Sequence, residues 1–134
     1  NRLTNAAAFD YETHEVIDVS GNTSPFTIES TIQIGVNSNF ELNENSTLGF
    51  YINADRRGQQ YWDPLEEYKQ EPFTLVNARV NFKYQNFGIN LWVNNLFYTK
   101  FNQEFFPTAE FGFSNLRFPN TPTTFGVDLS YRFN

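Results

Sequence analysis

Few side chains in this 134-residue chain could bind a metal ion or transfer a proton. The single histidine, His14, lies near three carboxylates in the sequence, Asp10, Glu12 and Glu15. A transition-metal site needs several such ligands at close range. Carboxylates beside a polar strand face are usually only solvated, and we therefore expect no metal at His14.

A second group of acids, Asp63 with Glu66 and Glu67, could form a carboxylate pair for acid–base chemistry. The sequence supplies no phosphate-binding glycine loop and no Ser/His/Asp order that would support such a role. A solvated loop is the simpler interpretation. We expect no catalytic residue and no cofactor, and we expect that the chain is not an enzyme.

The composition narrows the class of protein. The absence of cysteine excludes a disulfide scaffold, and a net charge of -6 argues against a nucleic-acid partner. Aromatic residues make up 19% of the chain, yet the mean hydropathy is -0.52. No apolar run approaches the roughly 20 residues of a transmembrane helix. If the chain lies in a membrane, it must therefore do so as part of a β-barrel.

Alternation of apolar and polar residues dominates the sequence and predicts strands. From Thr124 to Phe133, odd positions are apolar and even positions are polar or small. Apolar residues occupy the even positions of 76–84 and the odd positions of 87–93. A two-residue turn at Gln85 and Asn86 would place these two apolar rows on the same face of a hairpin. This register places three pairs opposite each other: Phe82 and Ile89, Val80 and Leu91, and Arg79 and Trp92.

The same alternation adds strands at 28–36 and 48–54, and a weaker alternation adds one at 8–18, giving about six strands. The connections at 85–86 and 37–45 are the shorter ones, and those at 55–72 and 97–122 are long. Short turns at one end and long loops at the other are typical of outer-membrane barrels. We therefore predict an all-β fold: an antiparallel up-and-down transmembrane β-barrel segment, forming an open curved sheet if alone.

The two faces of the predicted sheet differ in chemistry. One face would contact lipid, and its residues are Phe125, Val127, Leu129, Tyr131, Phe133, Ile89, Leu91, Val93, Val80 and Phe82. The other face would line the lumen, and its candidate residues are Arg79, Lys83, Trp92, Asp128 and Arg132. The four charged residues of this face could contact whatever fills the lumen. They could also simply compensate one another as a charge ladder, which is the interpretation that we favour.

Arginine and aromatic residues concentrate in the long connections. The candidates for contact with an extracellular ligand are Arg56, Arg57, Tyr61, Trp62, Phe105, Phe106 and Phe111, because exposed rings and guanidinium groups can bind a bulky ligand. The alternative is an aromatic girdle at the membrane interface, formed by Tyr61, Trp62, Tyr98 and Phe101. The girdle fits the residues next to strands better, which leaves ligand contact to the loop centres.

Three motifs follow one another in the last half of the chain: FTLVNARV at 73–80, INLWVNNLF at 89–97 and PTTFGVDLSYRF at 122–133. Their order and spacing resemble the C-terminal end of TonB-dependent receptors, and the resemblance spans about residues 20–133. The chain departs from the family pattern at Tyr98, where an acidic residue or Asn is common, and at Thr123, where Arg is common.

The resemblance implies that residues 1–134 are the C-terminal portion of a receptor barrel, with the plug domain, the TonB box and earlier strands upstream. It implies the outer membrane of a Gram-negative bacterium, with uptake of siderophore-iron or a similar scarce nutrient. The implied partners are outer-membrane lipid, the TonB complex, the barrel-assembly machinery and the small-molecule ligand. Tyr131 and Phe133 would form the signal that the assembly machinery recognises.

Two other classes share part of this pattern. A passive outer-membrane channel would show the same alternation but need not show the same order of motifs. A soluble β-sandwich would bury two inner faces against each other, and the charged polar faces argue against it. In receptor barrels the C-terminus is periplasmic, which would place 37–45 and 85–86 in the periplasm and 55–72 and 97–122 outside.

Overall fold

The computed structural model describes residues 1–108 and 111–133. About 59% of the chain is in β-strands, and the described residues contain no α-helix. Accordingly, none of the described segments is a helix of the length and apolarity needed to cross a membrane. The prediction of an all-β antiparallel fold is confirmed.

The described residues form eleven strands in four separate sheets. In chain order they are β1 (Ala7–Asp10), β2 (Glu15–Asp18), β3 (Thr31–Asn43), β4 (Ser46–Arg57), β5 (Gln60–Tyr61), β6 (Lys69–Gln70), β7 (Phe73–Tyr84), β8 (Phe87–Asn94), β9 (Asn102–Phe106), β10 (Leu116–Pro119) and β11 (Thr124–Tyr131). The largest sheet has five strands in the order β11-β8-β7-β4-β3, so each strand pairs with its neighbour in this meander. The sheet is open, with β3 and β11 at its edges.

The chain divides into two compact units. The sheet unit consists of Ile32–Arg56, Thr74–Thr99 and residues 121–133. The loop unit consists of Asn1–Thr31, Arg57–Phe73 and Lys100–Asn120, and it contains the three two-stranded hairpins.

The turn between β7 and β8 has the two residues expected, and it sets the register of these two strands. Phe82 lies opposite Ile89, Val80 opposite Leu91, and Arg79 opposite Trp92, as the parity argument predicts. Gln85 adopts a φ of 49°, in the left-handed region that tight turns use. Its backbone N–H donates to Asn45 O at 2.7 Å, which joins this turn to the turn between β3 and β4.

The apolar face of the sheet unit is exposed. Cross-strand pairing places Phe125 beside Val93, Val127 beside Leu91, and Leu129 beside Ile89, so the expected residues of β7, β8 and β11 share one face. Phe125 and Leu129 are 81% and 68% exposed. On the edge strand β3, Ile32, Ile34, Val36, Phe40 and Leu42 are also exposed. A face of this size without cover marks a contact surface or a membrane surface.

Glycines on the opposite face make room for side chains of the neighbouring strand. A Cβ at Gly126 would overlap the Trp92 ring, so the indole covers the space above that glycine. A Cβ at Gly88 would lie 2.6 Å from Ser130 Oγ, and one at Gly49 would lie 2.6 Å from Asn39 Oδ1. The polar face is therefore packed by cross-strand pairs of one glycine and one larger residue.

Asn95 joins three segments at the end of β8. Its backbone N–H donates to Asn77 Oδ1 at 2.9 Å, and its side-chain Nδ2 donates to Thr99 O and Thr121 O. The Thr123 hydroxyl donates to Asn95 O at 2.6 Å. Asn95 is buried, and its positive φ of 51° is one that Asn tolerates well. The side chain thus fixes the exit of β8 and the entry of β11.

Several boundaries differ from the sequence prediction. The segment 37–45 is not a loop, because β3 continues to Asn43 and only Glu44 and Asn45 form the turn. Residues 8–18 form the hairpin of β1 and β2 rather than one strand. The strand predicted at 28–36 begins at Thr31. The main sheet has five strands instead of about six, and the long connections contain hairpins of their own.

The Trp92–Gly126 pair generates a stability prediction. We expect Gly126→Ala to lower the free energy of unfolding by about 1–3 kcal/mol, because the new methyl group overpacks against a rigid indole. The measurement is equilibrium unfolding in urea under the conditions in which the protein is folded.

Gly35→Ala is the matched control, because a Cβ there meets its nearest atoms at 3.8 Å, an ordinary contact on the same face. Adding Trp92→Val to Gly126→Ala should recover part of the lost stability. An equal loss in both single glycine variants would contradict the cross-strand explanation.

Candidate functional site: an aromatic cavity in the loop unit

The buried apolar side chains of the described residues all lie in the loop unit. They are Val19, Trp62 and Phe105, and each is at most 4% exposed. The rings of Trp62 and Phe105 have centroids 6.2 Å apart, and Tyr68 lies 5.2 Å from Phe105. A small aromatic core therefore holds together segments that are far apart in the sequence.

Asp63 shapes the turn that follows Trp62. Its carboxylate accepts backbone hydrogen bonds from Tyr68 at 2.8 Å and from Glu67 at 3.2 Å. The backbone N–H of Trp62 donates to the backbone oxygen of Tyr68 at 2.9 Å, which closes the loop between β5 and β6. Asp63 is 3% exposed, so its role is to satisfy the backbone of this turn rather than to meet solvent.

Residues 22 and 23 hold the same turn from the outside. Asn22 Nδ2 donates to Pro64 O at 2.9 Å, and the Thr23 N–H donates to Glu66 Oε1 at 2.6 Å. The hydrogen bonds from Thr23 lower the pKa of the Glu66 carboxyl below its usual value, because they favour the ionised form. Glu66 is therefore a fastening group, in contrast to the acid–base role considered from the sequence.

A cavity of about 450 Å³ opens next to this core. Aromatic side chains dominate its walls, and they come from four segments of the loop unit: Phe9, Tyr11, Phe26, Trp62, Phe106 and Phe111. Phe26 packs edge-on against Trp62 at 5.7 Å, and Tyr11 packs edge-on against Phe111 at 4.9 Å. A concave site of this size with aromatic walls is typical of small-molecule binding sites.

The Trp62 side chain carries a polar atom without a partner. Its Nε1 is enclosed and has no hydrogen-bond acceptor among residues 1–108 and 111–133. Buried indole N–H groups usually find an acceptor. Its Nε1 is closed to solvent, so the unpaired donor belongs to the packed core behind the cavity, while other atoms of Trp62 line the cavity.

The structure brings together only part of the predicted ligand-contact set. Trp62, Phe106 and Phe111 line the cavity, and Phe105 lies buried behind Trp62. Tyr61 belongs to β5, where its carbonyl accepts from the Phe26 N–H at 2.8 Å.

The two arginines of that set do not belong to the cavity wall. Arg56 and Arg57 end strand β4 instead of opening a loop, which corrects the sequence prediction. Arg56 Nη1 donates to the Thr74 hydroxyl at 3.3 Å on the neighbouring strand. Sequence reasoning missed Phe9, Tyr11 and Phe26 as lining residues. The alternation at 8–18 was visible, but the tight hairpin of β1 and β2 that carries Phe9 and Tyr11 was not, and Phe26 lies outside that hairpin.

The predicted polar-face residues lie together in the sheet unit. Trp92 lies opposite Arg79 and Gly126, while Lys83, Asp128 and Arg132 line an open depression of about 620 Å³ near the turn at 85–86. Asp128 Oδ2 accepts from Asn90 Nδ2 at 2.7 Å. The depression is open, and Phe82, Phe87, Ile89 and Tyr131 border it together with the polar residues.

Metal binding finds no support near His14. The part of the chain that the structure describes holds no group of three or more His, Asp or Glu side chains that could share a metal ion. Asp10 is occupied locally, since it accepts from Glu12 N at 2.8 Å and from the Thr13 hydroxyl at 2.7 Å. These hydrogen bonds lower the pKa of the Asp10 carboxyl.

The hydrogen bond from the Thr23 N–H to the Glu66 carboxylate should make the stability of this contact depend on pH. Because its pKa is lowered in the folded protein, the stabilisation is complete above the usual pKa of 4.5 and is lost as the pH falls through the folded-state value. We expect the Thr23 amide to lose protection from solvent exchange in that range, as measured by NMR. Glu66→Gln should remove the pH dependence of the Thr23 amide but leave that of the Ser20 amide, which donates to Asp18. An unchanged acid titration in Glu66→Gln would contradict the assignment.

No protein-family model matches the chain, and no solved structure is significantly similar to it. The resemblance to TonB-dependent receptors therefore rests on the three sequence motifs, and the chemistry of the cavity rests on its own residues.

Proposed function

We propose that this chain is the C-terminal part of the β-barrel of a TonB-dependent outer-membrane receptor that imports siderophore-iron or a similar scarce nutrient. The observation that carries the proposal is the distribution of apolar residues over the sheet unit. Its apolar face is exposed, and the buried side chains among its described residues are polar: Ser46, Asp55 and Asn95.

This distribution is the reverse of that in a domain folded in water. Each exposed Å² of apolar surface costs about 25 cal/mol when it stays in water. A hydrocarbon environment removes that cost, provided that the backbone polar groups are paired within the sheet. The five strands pair in an unbroken order; β3, β4 and β7 have 12 or 13 residues, and β8 and β11 have 8. A tilted strand needs roughly 9–11 residues to cross a bilayer.

The motifs behind the resemblance contact one another in the structure. Asn95, from INLWVNNLF, accepts a hydrogen bond at its carbonyl oxygen from Thr123, from PTTFGVDLSYRF. The backbone N–H of Asn95 donates to the side-chain oxygen of Asn77, from FTLVNARV. The conjunction of three motifs around one asparagine supports the interpretation that they form a single receptor-like unit rather than three chance similarities.

The receptor topology gives each predicted residue set a place. A periplasmic C-terminus would put the turns at 44–45 and 85–86 in the periplasm, and the segments 57–73 and 100–120 outside. Arg79, Lys83, Trp92, Asp128 and Arg132 would then face the lumen. Tyr131 and Phe133, which are 59% and 87% exposed, would be accessible to the barrel-assembly machinery.

The membrane assignment predicts an effect that depends on the sheet face. In phospholipid vesicles, we expect Leu91→Arg and Ile34→Arg to lower the free energy of unfolding by about 2–4 kcal/mol if these positions lie near the midplane, because an arginine there must leave water. The measurement is equilibrium unfolding of the lipid-inserted protein in urea.

Gln33→Arg is the matched control, because Gln33 is the exposed neighbour of Ile34 on the opposite face of β3. On a water-facing surface, all three substitutions would change stability by no more than about 0.5 kcal/mol. Small and equal effects in lipid would therefore refute the membrane assignment.

The transport assignment predicts that the parent protein needs the connection between β9 and β10. Shortening residues 107–115 should abolish uptake of the nutrient by cells at an unchanged level of receptor in the membrane, because Phe111 and Pro107 line the aromatic cavity. The measurement is uptake from a panel of siderophores, vitamins and saccharides. Unchanged uptake of every compound would contradict the role of this segment. Uptake that persists after the proton gradient is collapsed would identify a passive channel instead.

A further inference from the structure

The polar face of the sheet unit carries a large aromatic ring at the middle of β8, the indole of Trp92. We propose that this indole is the stacking platform of a saccharide-binding site and that the ligand is a neutral oligosaccharide. The inference deepens the proposed function by naming the class of the imported nutrient, and it rests on that function only for the step of transport. Binding itself follows from the residues around Trp92.

The indole lies flat against the neighbouring strand β11. A Cβ at Gly126 would overlap Cζ2 of Trp92, and it would lie 2.6 Å from Cε2 and 3.0 Å from Nε1. These ring atoms are bonded in a row, and an approach in the plane of the ring would leave the middle atom, Cε2, the farthest of the three. Because Cε2 is nearer than Nε1, one ring face covers Gly126, and the opposite face of this half-buried side chain is turned away from that strand. The described residues place no other aromatic ring on it.

Hydrogen-bonding side chains surround the platform on the same face. Arg79 lies directly opposite it on β7, and Asn90 and Asn94 are its same-face neighbours along β8. Residues opposite each other in a sheet are about 5 Å apart, and same-face neighbours along a strand are about 7 Å apart. Asn81 and Asp128 flank Asn90 on the two adjacent strands. Four of these five side chains are exposed, Asn90 being the half-buried one, so they can meet a ligand that covers the indole.

This combination fits the chemistry of a sugar ring. One face of a pyranose is a patch of C–H groups that packs on an indole face, and hydroxyl groups project from its rim. An asparagine amide offers two donors and an acceptor, so it can satisfy either role of a hydroxyl group. Asn90 Nδ2 donates to Asp128 Oδ2 at 2.7 Å, which orients the carboxylate beside the platform. A flat aromatic guest would cover the indole but leave the surrounding polar groups without partners, which is costly.

The charges near the indole select a neutral saccharide. Arg79 and Asp128, which flank the platform on opposite sides, carry opposite charges. The other cations of this face lie near the turn at 85–86: Lys83 is about 13 Å from Arg79 along β7, and Arg132 is about 20 Å from Gly126 along the chain. The chain as a whole has a net charge of -6, so it would repel an acidic saccharide.

The test uses the indole N–H groups as reporters. The chain has two tryptophans, so ¹⁵N-tryptophan labelling gives two indole signals, which Trp92→Phe assigns. The full chain is titrated in micelles of dodecylphosphocholine, a detergent that contains no sugar. The probes are four neutral trisaccharides (maltotriose, cellotriose, xylotriose and mannotriose), the acidic trigalacturonate, the acyclic polyol sorbitol and the flat aromatic amide nicotinamide.

We expect at least one neutral trisaccharide to shift the Trp92 signal until saturation. The Trp62 signal should stay in place, because that side chain is buried in the loop unit. Trigalacturonate should bind more weakly because of the charge, sorbitol because it lacks a ring face, and nicotinamide because it leaves the amides unpaired.

Variants then test the platform and its rim, with affinities for the best trisaccharide measured by isothermal titration calorimetry. Trp92→Leu should weaken binding about 2- to 12-fold, the effect of one ring-stacking contact, and Trp92→Phe should weaken it less. Asn94→Ala should weaken it over a similar range, the effect of one net hydrogen bond. Gln103→Ala is the matched control and should leave binding unchanged, because it removes an exposed amide from β9 in the loop unit.

The inference is overturned if no neutral trisaccharide shifts the Trp92 signal, or if trigalacturonate, sorbitol or nicotinamide binds as tightly as the best trisaccharide. Unchanged affinity in Trp92→Leu would overturn it as well. These outcomes are separate from the membrane test. A protein that binds a trisaccharide at Trp92 but shows no face-dependent effect of arginine in lipid would overturn the proposed function and leave the ligand class standing. A protein with the reverse behaviour would overturn the ligand class alone.

Discussion

The two-residue turn at Gln85 and Asn86 is the constraint on which the sheet unit depends. In an antiparallel hairpin the length of the turn fixes which residues lie opposite each other, and a slip of one residue would move every side chain to the other face. The register that this turn sets places Leu91 opposite Val80 and Trp92 opposite Arg79. The separate pairing of β11 with β8 adds Val127 and Gly126 on the other side of these two residues. The matching faces of β7 and β8 therefore follow from one short connection, and the hydrogen bond from Gln85 to Asn45 couples it to the turn between β3 and β4.

The sequence predicted most reliably where apolar and polar residues alternate strictly. The pairing of β7 with β8 could be derived because two independent parities had to agree. The strand from Thr31 to Asn43 was cut short because residues 37–39, Asn-Ser-Asn, have the composition of a loop, although cross-strand pairing overrides that local preference. Asn39 shows why, since its side chain occupies the space above Gly49 on the neighbouring strand. Local composition carries no information about that contact.

The candidate site was less accessible to sequence reasoning for a related reason. Trp62, Phe106 and Phe111 were identified as aromatic residues in connections, but nothing in their spacing shows that Phe9 and Phe26 join them. Contacts between segments that are far apart in the chain depend on hairpins and turns such as the one that Asp63 and Glu66 fasten. The arginines at 56 and 57 were assigned to the same site by proximity in sequence, yet β4 extends through both of them.

The pairing of glycine with a larger residue across the polar face has an evolutionary consequence. At Gly126 and Trp92, and at Gly88 and Ser130, two strands divide one volume between them. A larger side chain on one strand fits only if the side chain opposite becomes smaller. Substitutions at the two positions should therefore occur together, or both residues should be conserved. The exposed apolar face carries no such coupling, because Phe125 and Leu129 fill no space that a neighbour shares. Among diverged homologues, the two faces of the same strand are therefore expected to accumulate substitutions at different rates.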